Sequence, residues 1–260
     1  MPSQGRPDVL HEANLKQMRG LSPNVAILPW GATEAHNYHL PYGTDVIEAT
    51  ALGEAATAKA NAQGARAVLL PTVPFGIDHS QLNQVATITM RASTQLAILH
   101  DVALSLTRQG IDRLVLLNFH GGNEFKPLIR DVMLEHRIYI VQVNAFHLCP
   151  QVREQLEHPG DHADEFETSL LLHLAPQWVA PLEEADEGKT TPFALPALKQ
   201  PGVWASRDWA ALTESTGAGN PKEATAEKGE KIFEALVAAL VPVIVELSQA
   251  SNGDFPLVLS

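Results

Sequence analysis

The chain has 260 residues, 45% of them hydrophobic, and a formal net charge of −12. That length suits one soluble α/β domain over residues 1–260, and the acidic balance excludes a nucleic-acid or anionic-membrane partner, since both need a basic face. The single cysteine, Cys149, excludes an internal disulfide and fits a reducing cytoplasm.

Residues 1–20 are polar and lack the apolar core of a secretory leader. A short apolar run over 25–30 predicts the first strand, closed by Gly31 and followed by a polar segment reaching Asp45. An alanine-rich helical pattern runs from 46 to about 61, a second strand is predicted over 65–70, and 86–90 alternates as a strand does. Thr94 is expected to cap a helix that reaches about 109, where Gly110 stops it. The run 114–117 is four apolar residues without alternation, the pattern of a parallel strand covered on both faces. After a Gly-Gly turn a helix is expected near Asn123, then a strand over 138–143 and a helix over 163–174. The stretch 183–221 has weak periodicity and reads equally as a lid, an oligomer contact or a surface excursion. The apolar run 235–247 contains Pro242 and is shorter than the ~20 residues that span a bilayer. It predicts the buried face of a C-terminal helix. Strands alternating with helices imply a layered, parallel α/β sheet.

The chemistry-bearing residues cluster just after predicted strands, where open α/β sheets bind ligands. Glu34, His36, His39 and Asp45 share the loop after the first strand. Mixed imidazole and carboxylate donors suit zinc, manganese or iron(II), and one Asp can bridge two ions. Glu-x-His alone is a weak signal, and a solvated polar loop is the plain alternative. His120 ends the 114–117 strand and is followed by Gly121-Gly122. Two glycines allow close backbone approach. The competing reading, a phosphate-binding turn, lacks the G-x-G-x-x-G spacing and the P-loop lysine. In the third cluster, 161–168, Glu167 shares helical spacing with Ala163, Phe166, Leu170, Leu171 and Leu174. That places it on the core-facing stripe, with Asp164, Glu165 and Thr168 leaning elsewhere. A buried carboxylate needs a partner, here a cation, His162 or a backbone donor. No G-x-S-x-G elbow exists and Cys149 has no evident histidine partner, which disfavours covalent catalysis.

The segments 28–45, 118–123, 162–169 and 217–229, in this order, resemble the creatininase family of metal-dependent amidohydrolases. The resemblance implies a three-layer α/β/α sandwich with a mostly parallel central sheet, two divalent ions per subunit (zinc, manganese or iron) and a homo-oligomer, often a hexamer. By motif, Glu34, Asp45 and His120 would hold one ion, and His36 with Asp45 the other. His162 matches the histidine that handles protons, and Glu167 the glutamate of the family's Glu-Thr-Ser motif. The chain also departs from the family pattern. Creatininase has Tyr-Glu after the ligand histidine, and that glutamate binds the second ion. Gly121-Gly122 stand here instead, a variant shared with the deformylase of deazaflavin-cofactor biosynthesis, so Glu167 is the candidate for the missing ligand. Ala35, Asn37 and Tyr38 replace the more usual Gln, Gly and Pro, and 84–87 replaces a Phe-Pro-Gly-Thr run, so creatinine is not the expected substrate.

The expected function is a hydrolase in which water ionised at the cations attacks a cyclic amide or other amide carbonyl of a small molecule, with His162 supplying the proton that the leaving group needs. Alternatives within the family are an N-formyl, lactone or cyclic-ketone hydrolase. A deformylase acting on a phosphorylated substrate would want basic residues near the site, and Lys126 and Arg130 are the nearest candidates. From another class, a metal-stabilised binding protein without turnover is the competing reading.

Overall fold

The computed structural model describes residues 5–250. The ends of the domain expected over 1–260, and the first four residues of the polar segment, lie outside that range. The elements in chain order are α1 (Leu15–Leu21), β1 (Val25–Trp30), α2 (Thr44–Ala62), β2 (Ala67–Leu69), α3 (Ala92–Arg108), β3 (Arg113–Asn118), α4 (Lys126–Glu135), β4 (Tyr139–Asn144), α5 (Pro150–Arg153), α6 (Glu165–Leu174), α7 (Trp209–Leu212) and α8 (Ala226–Gln249).

Among the described residues one sheet forms, in the order β2-β1-β3-β4, with every pairing parallel. β1 and β3 are buried along their whole length, which explains their unbroken apolar runs: each needs hydrocarbon on both faces. Val25, Ile27, Val115 and Leu117 face a core filled by α2, α6 and α8. Ala26, Leu28, Trp30, Leu114 and Leu116 face a second core filled by α3 and α4. The result is the expected three-layer α/β/α arrangement. The chain leaves β1 toward β2 and leaves β3 toward β4, so the carboxyl ends of the two central strands open a crevice at the switch point.

Several local expectations are corrected. The second strand is shorter, Ala67–Leu69, and Ala86 to Met90 forms no strand. Its residues make only isolated bridges, Ile88 to Thr33 and Thr89 to Gly76, so alternation without a neighbouring strand to complete a ladder leaves a loop. Thr94 lies inside α3 rather than capping it, and Arg91 holds the cap position without a side-chain bond. The helix after His120 begins at Lys126, not near Asn123. α6 begins at Glu165, because Asp164 caps it by accepting from the N–H groups of Phe166 and Glu167. α8 continues the 235–247 run into a helix of 24 residues, apolar and long enough on composition to cross a bilayer. Ile232, Leu236, Leu240 and Ile244 nevertheless pack in the protein core. Between residues 183 and 221 the chain makes only short turns and the four-residue α7.

Candidate metal centre

β1 and β3 deliver the site. Glu34 and His36 follow β1, His120 follows β3, and Asp45 sits in the first turn of α2. The sequence pattern places that helix start at 46, and the structure draws it back to Thr44, so Asp45 projects from a fixed helix rather than from a loop. Gly31 permits this docking: a Cβ there would lie 2.7 Å from the Val46 nitrogen and 2.8 Å from the Asp45 carbonyl carbon. Only a residue without a side chain lets the end of β1 press against the start of α2.

Glu34, His36, Asp45, His120, His162 and Glu167 are all buried and all meet at this crevice. The two oxygens of Asp45 face different imidazoles. Oδ1 is 3.0 Å from His36 Nε2, while Oδ2 is 3.1 Å from His120 Nδ1. His120 Nδ1 is also 2.9 Å from Glu34 Oε1. Three triads of ligand-type atoms result, each within 4.8 Å: Glu34, Asp45 and His120; His36, Asp45 and Glu167; and Glu34, His36 and His162. Asp45 belongs to the first two.

The histidine tautomers follow from what holds each ring. His36 Nδ1 is 3.0 Å from the Glu34 carbonyl, His120 Nε2 is 3.1 Å from the Ile77 carbonyl, and His162 Nε2 is 2.9 Å from the Ala35 carbonyl. A carbonyl only accepts, so each of these nitrogens donates its hydrogen, and in a neutral ring the other nitrogen turns a lone pair toward the carboxylates. Lone pairs facing carboxylate oxygens at 2.9–3.1 Å repel unless a cation lies between them. Asp45 Oδ2 also lacks a hydrogen-bond partner among the described residues. The donor set therefore fits divalent cations held by mixed imidazole and carboxylate ligands.

Without such a cation, protons take its place. Burial opposes charging His36, but the Asp45 carboxylate outweighs it and holds the ring up to about 10. His120 behaves likewise: burial is overcome by Glu34, Asp45 and Asp78, and its pKa lies well above the usual imidazole range. Burial pushes Glu167 up to about 8 against the pull of His36. Burial, reinforced by a charged His36, lowers His162.

α6 is buried around its entire first turn. Asp164, Glu165, Thr168 and Ser169 are fully buried and Glu167 is 9% exposed, which corrects the expectation that Glu167 alone faces inward. α6 is sandwiched between α2 and α8, so each side of its first turn meets protein. Asp164 Oδ2 accepts from the Gly160 N–H, Glu165 pairs with Lys228, and Thr168 meets His39 Nε2 at 2.8 Å. Glu167 Oε2 accepts from the Ala163 N–H, the backbone alternative, while the carboxylate also joins His36 and Asp45. Three non-glycine residues around the crevice are left-handed: Asn37 (φ 54°), Ala163 (φ 49°) and Thr216 (φ 73°). Strain of that kind persists where surrounding contacts over-determine the backbone. Here Thr216 Oγ1 donates to the Ala35 carbonyl and accepts from the Asn37 N–H.

The sequence patterns do not single out Asp78, Gln81 or Glu48. Gln81 Nε2 donates to Glu34 Oε2, and Asp78 Oδ1 is 3.0 Å from His120 Nε2. In the turn 76–79, His79 is exposed and Asp78 is the buried residue. Glu48, one turn after Asp45, is buried with neither oxygen hydrogen-bonded among the described residues. Burial, with Glu167 and Asp45 nearby, raises it well above the carboxylate range. Its spacing from Asp45 on α2 was the available signal. Trp209 is buried and sets its ring edge-on to His162 at 5.1 Å, whereas Trp204 is 85% exposed. Lys126 and Arg130 are exposed.

A family model described as creatininase, creatinine amidohydrolase, matches residues 11–244. The chain is 31% identical over 238 residues to the mycofactocin precursor peptide peptidase of Mycobacterium tuberculosis (strain CDC 1551 / Oshkosh), covering 88% of this chain and 87% of that one. It is 28% identical over 243 residues to the creatinine amidohydrolase of Pseudomonas putida, covering 85% and 89%. A crystal structure of a creatinine amidohydrolase-like protein from Bacteroides fragilis NCTC 9343 superposes with a TM-score of 0.87 at 38% identity, covering 97% of this chain and 99% of that one.

Proposed function

The chain belongs to the creatininase family of hydrolases, and from that premise we propose that it cleaves amide C–N bonds with two divalent cations bound in the crevice. Glu34, Asp45 and His120 would hold one, and His36, Asp45 and Glu167 the other, with Asp45 common to both sets. The observation that carries this reading is the position of Asp45, whose two oxygens address two differently anchored histidines. Glu167 takes the place of the carboxylate that Gly122 cannot provide.

When bound, such a pair acidifies water and polarises a carbonyl. The chain's own residues do the rest. Carbonyl anchors on His36 and His120 orient both rings before any ligand arrives. Gln81 fixes the second oxygen of Glu34. His162 Nδ1 lies 3.8 Å from Glu34 Oε1, with its Nε2–H fixed on Ala35. Burial keeps that ring neutral at neutral pH, so Nδ1 accepts a proton from the attacking water and passes it to the leaving nitrogen. Trp209 walls the histidine against solvent.

The substrate in this reading is a cyclic or other small amide. A short-peptide amide is the second reading, favoured by the 31% identity to a peptide peptidase. The test is metal analysis of protein purified in chelator-free buffer, with a screen of cyclic amides, short peptides, N-formyl compounds and lactones under zinc, manganese and iron. Two ions per chain and chelator-sensitive cleavage of an amide are expected. A protein that holds no metal and is indifferent to chelators would sink the reading.

A further inference from the structure

A separate set of metal-ligand side chains lies in the outer layer formed by α3 and α4. His100 projects from the middle of α3, Glu135 is the last residue of α4 and His136 is its C-cap. His100 Nδ1 is 3.1 Å from His136 Nε2 and 3.7 Å from Glu135 Oε2. The two rings are inclined at 58° with centroids 5.3 Å apart, and the three ligand atoms lie within 4.8 Å of one another. In a tetrahedral zinc site with bonds of about 2.0–2.2 Å, ligand atoms stand about 3.3 Å apart. The two imidazole nitrogens are already near that spacing. The Glu135 side chain is 70% exposed and is free to close the remaining gap by a change of rotamer.

The helix end adds to this. The last turn of α4 presents carbonyls and the negative end of its dipole, which favours a cation there. The cluster is independent of the buried centre: α4 has 10 residues, about 15 Å of helix, between His136 and the loop that carries His120.

We propose that His100, Glu135 and His136 form a surface zinc site that clamps α3 to α4. Two imidazoles and one carboxylate leave a fourth position open to water, and borderline cations such as zinc suit that set. The cation adds a bridge between two helices 36 residues apart in sequence at this point, so it stabilises the fold by mass action without touching the crevice.

The experiment is a zinc titration, by calorimetry and by metal analysis, of full-length protein whose buried centre has first been saturated. Wild type is expected to take up one further equivalent and to gain thermal stability with added zinc. His100→Ala and His136→Ala should each lose that equivalent and the zinc-dependent rise in Tm, and Glu135→Gln should weaken binding about tenfold or more while leaving the rings in place. Asp45→Asn should retain the surface equivalent while losing metal from the crevice, which keeps the two readings distinguishable. Equal uptake by wild type and both histidine variants, with circular dichroism showing all three folded, would overturn the proposal.

Discussion

The carbonyl oxygen of Ile77 lies 3.1 Å from Nε2 of His120 and turns that ring's other nitrogen toward Glu34 and Asp45. Gly122 makes the contact possible. A Cβ at 122 would stand 2.4 Å from both His120 Nε2 and the Ile77 oxygen, whereas at Gly121 nothing lies within 4 Å. Gly122→Ala is therefore expected to rotate His120 and weaken metal binding about 10–100-fold, the range for losing an orienting partner. Gly121→Ala should bind like wild type. Competition against a chelator of known affinity measures both, and equal affinities would refute the role given to the Ile77 contact.

Asp45 is common to the Glu34–Asp45–His120 and His36–Asp45–Glu167 triads. Asp45→Asn replaces one oxygen with an amide nitrogen, which has no lone pair to offer a cation. Bound metal should fall by at least one ion per chain, and kcat by more than the about 100-fold that an orienting residue is worth. Glu167→Gln should lose a single ion and leave the Glu34–Asp45–His120 set loaded. Metal analysis beside turnover decides this; an Asp45→Asn protein that keeps both ions contradicts the bridging assignment.

His162 belongs to neither Asp45-centred triad. His162→Ala is expected to keep its metal and lose about 10²–10⁴ in kcat, the usual worth of a positioned proton carrier. Burial, the largest cause, lowers its pKa from the ordinary 6.5. The neutral form accepts the proton, so wild-type kcat/KM should fall on the acid side, below pH 6.5. Alanine at 162 should flatten that limb. If metal disappears with the ring, the histidine is a ligand instead.

His39 gives a pH dependence of stability. It is buried, its Nε2 meets Thr168 Oγ1 at 2.8 Å, and its Nδ1 is unpartnered among the described residues. Burial, followed by repulsion from His36, depresses it to about 4. The unfolded chain takes up this proton near 6.5 while the folded chain resists it, so the contribution is complete above pH 6.5 and is lost as pH falls toward 4. At about 1.4 kcal/mol per unit, the loss is about 3 kcal/mol. Urea unfolding at pH 7 and pH 4 should show a smaller acid loss in His39→Asn than in wild type. Equal losses would remove His39 from the acid response.

The sheet was legible because β1 and residues 114–117 of β3 are apolar without a break, and a strand covered on both faces suits that pattern. The ligand types were legible for a related reason: carboxylates and imidazoles gathered after strand ends have few purely structural uses. Where periodicity misled, a missing neighbour or an extra one was the cause. The alternation over 86–90 found no strand to pair with, and helical spacing assigned Glu167 to the core while sending Asp164 and Glu165 outward, although all three are buried. Spacing describes one face of a helix, but α6 has protein on every side of its first turn.

Sequence by itself determined the layered fold, the carboxylates and imidazoles that gather at the crevice and the order in which they arrive. Tertiary structure alone decided that Asp45 stands between two histidines, that Asp78 rather than His79 is buried beside His120, and that His100 meets His136. It also decided which nitrogen of each ring is free, through carbonyls of Glu34, Ala35 and Ile77. Every residue carries a carbonyl, so nothing in a side-chain pattern marks the one that will accept a hydrogen bond. Only the path of the folded backbone sets that.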